Sequence, residues 1–372
     1  MLPALRRRAC LALLSALSFA PLAATAQQGD PIKIGVLMPL KSVIGKQGLQ
    51  GAELAAEMIN ADGGVLGRRI ELVSYDSNFS AVDAVSAAQR LITQDKVQFI
   101  AGEIGSTPAL AVLQVVRTTN TLFMVAVPKH PDITKSGYNR VFRLNTTLDE
   151  DARYFDTYLL EKVKPKKLVV VAENTDYGRY TIDSAKARFG ALYGGAELFE
   201  QTQNDFTTVM TKVKASGADV ACIVAGKPEQ AAAALKAMAQ LGVPARRCTA
   251  VGVLNAQSAA LAGDAAEGAF GADIYAADGR TPVNEAFVKR FQAKHGHRPE
   301  KIEALGFESV WITAKGIAAA GTATDTEKVA NAIRQGTWQT PRGDLRFDAG
   351  GQALARQYVH FVVKGGKLSV GE

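Results

Sequence analysis

The sequence predicts an α/β protein with two lobes, each built on a parallel sheet. Three observations lead to this fold class. Strand-like and helix-like segments alternate along most of the 372 residues, the alternation begins a second time after residue 147, and a helix–Gly-Gly–strand step occurs in both halves, at 60–64 and 192–195. Repeated strand–helix units make the strands parallel, because each helix must cross over the sheet.

The first half contains four predicted strands separated by three predicted helices. Residues 32–38 form an apolar strand that ends at Pro39. Residues 51–60 have apolar side chains at helical spacing until Asp62-Gly63-Gly64 ends the helix. The remaining predicted elements of this half are strands 69–76, 97–101 and 122–127 and helices 80–94 and 106–120.

The second half repeats this pattern and then changes character. Its predicted strands are 167–173, 196–201, 220–224 and 248–252, and its predicted helices are 148–163, 177–192, 206–216 and 228–241. The tail predicts helices 282–295, 302–320 and 325–335 and an antiparallel-looking end, 343–347 and 357–363. Two lobes of this size leave a cleft, which is the usual place for a small ligand.

The first 26 residues are predicted to be an export signal. Residues 6–8 are three arginines, residues 9–20 form a short apolar stretch, and Ala24-Thr25-Ala26 supplies the small residues that precede cleavage before Gln27. The apolar stretch is shorter than the roughly 20 residues that a spanning helix needs. A retained anchor is therefore the less favoured alternative, and the mature chain is expected to be exported.

Charge and motif content exclude several classes of function. Without the first 26 residues the chain has 40 basic and 36 acidic residues, and aromatic residues make up 7%, which does not fit a nucleic-acid-binding surface. Glycine-rich dinucleotide and phosphate loops are missing, and so is a hydrolase nucleophile elbow. The pair His295 and His297 lies at a predicted helix end, where a solvated tail is favoured over a metal site. We therefore expect no catalytic residue, no metal and no cofactor.

The mature chain retains two cysteines, Cys222 and Cys248, both in apolar strand-like runs. Buried free thiols are the favoured interpretation, and a bridge between neighbouring strands is the alternative. Their spacing, without a nearby histidine, does not fit a zinc site.

One turn is a candidate binding site. The predicted strand 97–101 leads into Gly102-Glu103-Ile104-Gly105-Ser106-Thr107-Pro108, after which a helix begins. The two glycines allow a close approach to a ligand, Ser106 can cap the helix, and Pro108 suits its first turn. Free N–H groups at a helix start attract anions, so the turn is either an anion site or a simple cap.

Several motifs occur in a distinctive order along the chain. They are Ile32-Lys33-Ile34-Gly35-Val36-Leu37, Gly51-Ala52-Glu53-Leu54-Ala55, Ile59-Asn60-Ala61-Asp62-Gly63-Gly64-Val65-Leu66-Gly67-Arg68, Glu71-Leu72-Val73-Ser74-Tyr75-Asp76, Gly137-Tyr138, Val141-Phe142-Arg143, Asp176-Tyr177-Gly178, Phe206-Thr207 and Ala262-Gly263-Asp264-Ala265-Ala266-Glu267-Gly268. In this order they closely resemble the periplasmic leucine/isoleucine/valine-binding proteins, the type I solute-binding components of ABC importers. The resemblance covers essentially all of the mature chain.

The resemblance implies a type I periplasmic binding protein fold, with two Rossmann-like lobes joined by a three-strand hinge. The crossings are then expected near Thr146, Ala272 and Thr340. The implied division is 27–146 plus 273–340 for lobe 1 and 147–272 plus 341–372 for lobe 2.

The resemblance also places candidate ligand-binding residues in the cleft between the lobes. Ser106 falls on the family serine that holds the ligand carboxylate, and Tyr177 on a tyrosine that faces the cleft from the other lobe. Val127 falls where a backbone carbonyl meets the ligand ammonium. The full candidate set is Gly105, Ser106, Thr107, Val127, Lys129, Tyr177 and Val251.

Some positions depart from the family pattern. Lys129 replaces a threonine that helps to bind the carboxylate, and Val251 replaces the acid that pairs with the ammonium. A tyrosine before 228–229 is absent, and Phe79 and Gly105 stand where the family has a lobe-one disulfide. A cleft that loses an acid and gains a lysine favours an anion over a zwitterion, if Lys129 faces the pocket and not the solvent.

The resemblance implies a periplasmic, non-catalytic substrate-binding component of an ABC importer. Its solute would carry a carboxylate and be of the branched-chain amino acid type. Its partner would be an inner-membrane permease, and the binding protein itself is expected to be a monomer. The alternatives are a binding protein for an aromatic or aliphatic organic acid without an α-amine, a solute sensor subunit, or an enzyme that uses Ser106 as nucleophile. No partner base for Ser106 is evident in the sequence.

Overall fold

The structure is a computed structural model that describes residues 29–279, 281–354 and 358–371. The predicted export signal, residues 1–26, lies outside the described residues. Within those three ranges, no helix combines the length and the apolar character needed to cross a membrane.

The first sheet has five parallel strands in the order β2-β1-β3-β4-β5. They are β1 (Ile32–Met38), β2 (Ile70–Asp76), β3 (Phe99–Gly102), β4 (Leu122–Val125) and β5 (Val141–Arg143). The helices between them are α1 (Val43–Ala61), α2 (Ala81–Thr93), α3 (Ser106–Thr119) and the short α4 (Asp132–Lys135). The central strands are buried on both faces, which explains their continuous apolar sequences.

The second sheet has seven strands in the order β14-β13-β10-β9-β8-β6-β7. They are β6 (Leu168–Glu173), β7 (Tyr193–Phe199), β8 (Val220–Val224), β9 (Arg246–Thr249), β10 (Phe270–Asp273), β13 (Val359–Lys364) and β14 (Lys367–Val370). Its helices are α5 (Leu148–Asp151), α6 (Asp176–Phe189), α7 (Thr207–Ala215), α8 (Pro228–Gln240) and α9 (Ala256–Ala262). Strands β6 to β10 are parallel, whereas β13 and β14 are antiparallel to their neighbours.

Three later helices pack on the first lobe: α10 (Pro282–His295), α11 (Lys301–Ala320) and α12 (Thr326–Gln335). Helix α11 lies directly against α1, and the contact depends on glycine, because a Cβ on Gly51 would overlap the carbonyl oxygen of Glu303. This packing carries Lys301, the first residue of α11, to the edge of the space between the lobes.

The strand–helix alternation is confirmed, but six α-helices and strands of the described residues were not predicted: α4, β5, α9, β10, Trp338–Thr340 and β14. Each is short, with at most seven residues, so a periodic pattern has little room to develop. The two strands predicted near the C-terminus, 343–347 and 357–363, do form antiparallel pairs, but the strands found there do not pair with each other. Instead, β12 (Gly343–Leu345) pairs with β11 (Trp338–Thr340), and β13 pairs with β10 and β14.

The third connection between the lobes lies beyond the position expected near Thr340. Phe347 and Ala353 are still buried in the core of the first lobe. Arg143 in β5 accounts for this, because its N–H donates to Gly351 (2.8 Å) and its carbonyl accepts from Ala353 (2.9 Å). The segment therefore continues along the edge of the first sheet before the chain reaches β13.

Cys222 in β8 and Cys248 in β9 are register partners on adjacent strands. Both are buried free thiols, and their Sγ atoms lie 2.7 Å apart. Burial raises the pKa of the Cys248 thiol well above its usual value, so this thiol stays protonated at neutral pH.

Candidate functional site

A cleft of about 830 Å³, open to solvent, lies between the two lobes. Its walls come from the loops that follow β3, β4, β6, β8 and β9 and from the start of α11. This is the carboxyl edge of the parallel strands, where open α/β sheets bind ligands. All seven candidate residues line it: Gly105, Ser106, Thr107, Val127, Lys129, Tyr177 and Val251.

The start of α3 offers hydrogen-bond donors to the cleft. Gly105 is the N-cap, and Ser106 and Thr107 are the first helical residues, so their N–H groups have no partner within the helix. Ser106 does not cap the helix. Its Oγ accepts the N–H groups of Lys129 (3.2 Å) and His130 (3.3 Å), which leaves the hydroxyl proton to donate elsewhere. The helix start therefore suits a carboxylate.

Thr107 joins the two lobes across the cleft. Its Oγ1 donates to Asp176 Oδ2 at 2.7 Å, and Asp176 is the first residue of α6 in the second lobe. Tyr177, the next residue, lines the cleft. Burial raises the pKa of its hydroxyl well above the usual value, so Tyr177 acts as a neutral group.

Lys129 faces the cleft interior and not the solvent, since it is only 6% exposed. Its Nζ lies 2.5 Å from Asp151 Oδ2 and donates to the carbonyl of Val251 at 3.0 Å. An ammonium has three N–H donors, so one remains for a third acceptor. The counter-ion was not foreseen, because Asp151 is 22 residues away in the sequence and belongs to α5.

A second buried lysine, Lys301, was missed by the sequence analysis. Its Nζ donates to the carbonyl of Gly252 at 3.1 Å and lies 3.3 Å from Asp273 Oδ1. Gly252 has a φ of +82°, and a Cβ there would overlap Lys301 Nζ. Burial lowers the pKa of Lys301, and Asp273 opposes this shift. In the sequence, Lys301 follows Arg298-Pro299-Glu300, which is typical of a solvated helix end.

Acidic groups in and around the cleft already have partners. Of the described lining residues, one is acidic: Glu173, whose carboxylate accepts from Thr175 Oγ1 and from the N–H of Gly226, each at 2.9 Å. Burial raises its pKa. Three lining residues are lysines: Lys129, Lys227 and Lys301. Asp151 and Asp273 pair with Lys129 and Lys301, so the carboxylates nearest to these two ammonium groups are already matched with a cation.

The position of Val127 also bears on ligand charge. Its carbonyl, the expected partner of a ligand ammonium, accepts a hydrogen bond from Asn145 Nδ2 at 2.6 Å. One lone pair of this oxygen is therefore already used.

Comparisons with known proteins agree with this architecture. The family model described as periplasmic binding protein matches residues 31–367. The leucine-, isoleucine-, valine-, threonine- and alanine-binding protein of Pseudomonas aeruginosa is 30% identical over 350 residues, which is 91% of each chain. The chain belongs to the periplasmic binding protein family.

Solved structures show the same fold for this periplasmic binding protein. The leucine-binding protein LivK from Thermotoga maritima superposes with a TM-score of 0.83 at 23% identity, covering 92% of this chain and 98% of LivK. A solute-binding protein of R. palustris in complex with benzoate gives 0.84 at 21%, covering 91% and 95%. The predicted α/β fold and the predicted family are both confirmed. The family consists of solute-binding proteins rather than enzymes.

Glu103 lies beneath the start of α3 in this binding protein. It is fully buried, and its Oε1 accepts the N–H groups of Ile104 (2.7 Å) and Gly105 (3.1 Å). Burial is the largest influence and raises its pKa from 4.5 to about 7. A carboxyl that is largely neutral below pH 7 repels a bound carboxylate less than an ionised one does.

The raised pKa of Glu103 predicts a pH-dependent stability. Its stabilising contribution is complete below the unfolded-state pKa near 4.5 and is lost as the pH rises through about 7. Between pH 5 and pH 8 the free energy of unfolding of the wild type should therefore fall by roughly 2–3 kcal/mol relative to that of Glu103→Gln, which lacks the titrating group. Urea titrations at several pH values measure this, with the exposed Glu71→Gln as control. A difference that does not change with pH contradicts the assignment.

Proposed function

We propose that this protein is the periplasmic substrate-binding component of an ABC importer and that it holds a small carboxylate-bearing solute between its lobes. The observation that carries the proposal is the start of α3, where Ser106 and Thr107 have N–H groups without a partner in the helix and line a cleft together with Lys129 and Lys301. A helix start and a nearby cation both stabilise a carboxylate. An inner-membrane permease is the implied partner.

An organic acid without an α-amine fits the cleft charges better than an amino acid. Val251 stands where the family has the acid that pairs with a ligand ammonium. The carboxylates of Asp151 and Asp273 are already paired with Lys129 and Lys301. The benzoate complex of the R. palustris neighbour supports an organic acid. A branched-chain amino acid remains the second candidate, since the P. aeruginosa relative is named for binding such solutes and Glu173, whose hydrogen-bond donors are neutral groups, is an acidic residue of the cleft lining.

Binding without catalysis is the proposed activity. Within the described residues, the polar contacts of Ser106 Oγ are backbone N–H groups and not a general base, and nucleophilic catalysis by serine requires such a base. The same fold would serve a solute sensor equally well, and adjacent permease and ATPase genes distinguish transport from sensing.

Native mass spectrometry of protein purified from the periplasm tests the proposed function. We expect one copurified small acid per chain, released intact on denaturation. A protein that carries no solute and binds no carboxylate in subsequent calorimetry would overturn the proposal. Conversion of the bound acid during incubation would overturn the claim that the protein only binds.

Closure of the lobes is a further expected result. Thr107–Asp176 and Lys129–Val251 join the lobes across the cleft, so a solute that contacts both walls favours the closed arrangement. Small-angle scattering should show a smaller radius of gyration with the copurified acid than after its removal. Equal radii would count against a hinge mechanism.

A further inference from the structure

The second lobe contains a further pocket that is partly open to solvent and has a volume of about 580 Å³ including the open part. It lies on one face of the second sheet, beneath α5, α6 and the π-helical turns Ala152–Asp156 and Leu159–Val163. Its walls are mainly apolar side chains: Phe155, Leu159, Leu168, Val170, Ala185, Phe189, Val224 and Val251. We call this space the inner chamber.

We propose that the inner chamber takes the apolar part of the solute, so that the ligand is an organic acid with an extended hydrophobic body. This inference rests on the proposed function, because the carboxylate of the same solute occupies the cleft. It narrows the substrate class from small acids in general to acids with an apolar group too long for the cleft alone.

The inner chamber adjoins the cleft. Tyr177 and Val251 line both spaces, so these two side chains form the partition between them. Among the residues that the structure describes, none hydrogen-bonds to the Tyr177 hydroxyl, and its ring is held by packing against the chamber's apolar wall. A change in the side-chain torsion of Tyr177 therefore connects the two spaces without breaking a hydrogen bond.

The backbone above the inner chamber departs from regular α-helix. After α5 the chain follows two π-helical turns, which are wider than an α-helix and occur frequently at functional sites. Phe155 and Leu159 reach the chamber from these turns, opposite Val170 in β6 and Val224 in β8. An apolar pocket that adjoins a polar cleft suits the apolar part of a ligand whose polar group lies in the cleft.

Charge fixes the direction in which the acid lies. The cleft end has the unpartnered N–H groups at the start of α3, whereas the inner chamber has mainly apolar walls. Its two acidic lining residues, Asp151 and Asp156, are already paired with Lys129 and Arg188, so a ligand carboxylate is better stabilised at the cleft end. The carboxylate therefore stays in the cleft, and the apolar part enters the chamber.

Two acids with the same head group test the proposal: benzoate and 4-butylbenzoate. Each buried methylene is expected to raise affinity roughly fourfold, so wild-type protein should bind 4-butylbenzoate at least tenfold more tightly. Ser184→Phe places a ring in the chamber from the half-exposed face of α6. It should weaken 4-butylbenzoate at least tenfold and change benzoate less than twofold. Lys186→Phe, on the exposed face of the same helix, is the matched control and should change neither.

Calorimetry of the wild type decides the proposal even if Ser184→Phe fails to fold, and Ala185→Leu offers a second way to fill the chamber. Equal wild-type affinities for the two acids would overturn it, as would equal weakening of both by a folded Ser184→Phe protein. If neither acid binds but another carboxylate does, the chamber proposal alone fails. If no carboxylate binds, the proposed function fails as well.

Discussion

A Lys129→Met variant is expected to bind carboxylates more than tenfold more weakly than the wild type, a loss of at least about 1.4 kcal/mol. The substitution removes a cation from the cleft and leaves the Asp151 carboxylate facing it. The remaining donors to Asp151 are neutral: Thr146 Oγ1 at 2.7 Å and the Tyr358 hydroxyl at 3.0 Å. In the variant, the unpaired Asp151 carboxylate therefore repels an anionic solute, whereas in the wild type Lys129 neutralises this carboxylate.

The same substitution is expected to destabilise the fold. The side chains of Lys129 and Asp151 are 7% and 10% exposed, and breaking a buried pair by removing one partner costs about 3–5 kcal/mol. Asp151→Asn is the informative counterpart, because it keeps acceptors for Thr146 and Tyr358 but leaves the lysine charge unopposed. We expect it to bind anions more tightly than the wild type does.

The double variant Lys129→Met/Asp151→Asn separates the two effects. It removes the unpaired carboxylate and should recover much of the stability in urea titrations, but calorimetry should still show weakened anion binding. If the affinity of Lys129→Met for a carboxylate that the wild type binds is unchanged, the lysine supports the lobes without acting on the solute.

The site residues that could be predicted are those on the turns of single strand–helix units. The turn from β3 to α3 is visible in the sequence because Gly105, Ser106 and Pro108 stand together at the start of a periodic helix. Its role in the cleft then follows from the parallel topology, since the carboxyl ends of all the strands meet at one edge. Tyr177, at the start of α6, lies on a turn of the same kind, but its place in the cleft was predicted from the family resemblance.

Partners from distant parts of the chain could not be predicted in this way. Lys301 reaches Gly252 across 49 residues, and the contact exists only because α11 packs on α1 while β9 belongs to the other lobe. The inner chamber was missed for a related reason, because π-helical turns have no distinctive residue pattern here. Local periodicity specifies each element, whereas the space between two elements depends on how they pack.

Both buried lysines connect ligand charge to the closure of the lobes. Lys129 and Lys301 extend from first-lobe elements and donate to consecutive carbonyls of the second lobe, at Val251 and Gly252. A solute acceptor near these ammonium groups adds a contact that only the closed arrangement provides. Differential affinity of this kind is what shifts a two-state equilibrium.

The keto acid 4-methyl-2-oxopentanoate is expected to bind more than tenfold more tightly than leucine, with which it shares its carboxylate and its branched side chain. The ammonium of leucine would lie among Lys129 and Lys301, beside a Val127 carbonyl that already accepts a hydrogen bond. Burying a charge without a partner costs several kcal/mol. A ketone oxygen is instead an acceptor for the lysine N–H groups.

Val251→Glu provides the test of this argument, because it returns a carboxylate to the position where the family has one. Calorimetry should show a smaller preference for the keto acid over leucine, whereas Val251→Gln, of the same shape without the charge, should keep the wild-type preference. Submicromolar leucine binding by the wild type, with no measurable binding of the keto acid, would contradict the prediction. The ammonium partner would then be Glu173, which lines the opposite wall and whose raised pKa would fall when it pairs with a cation.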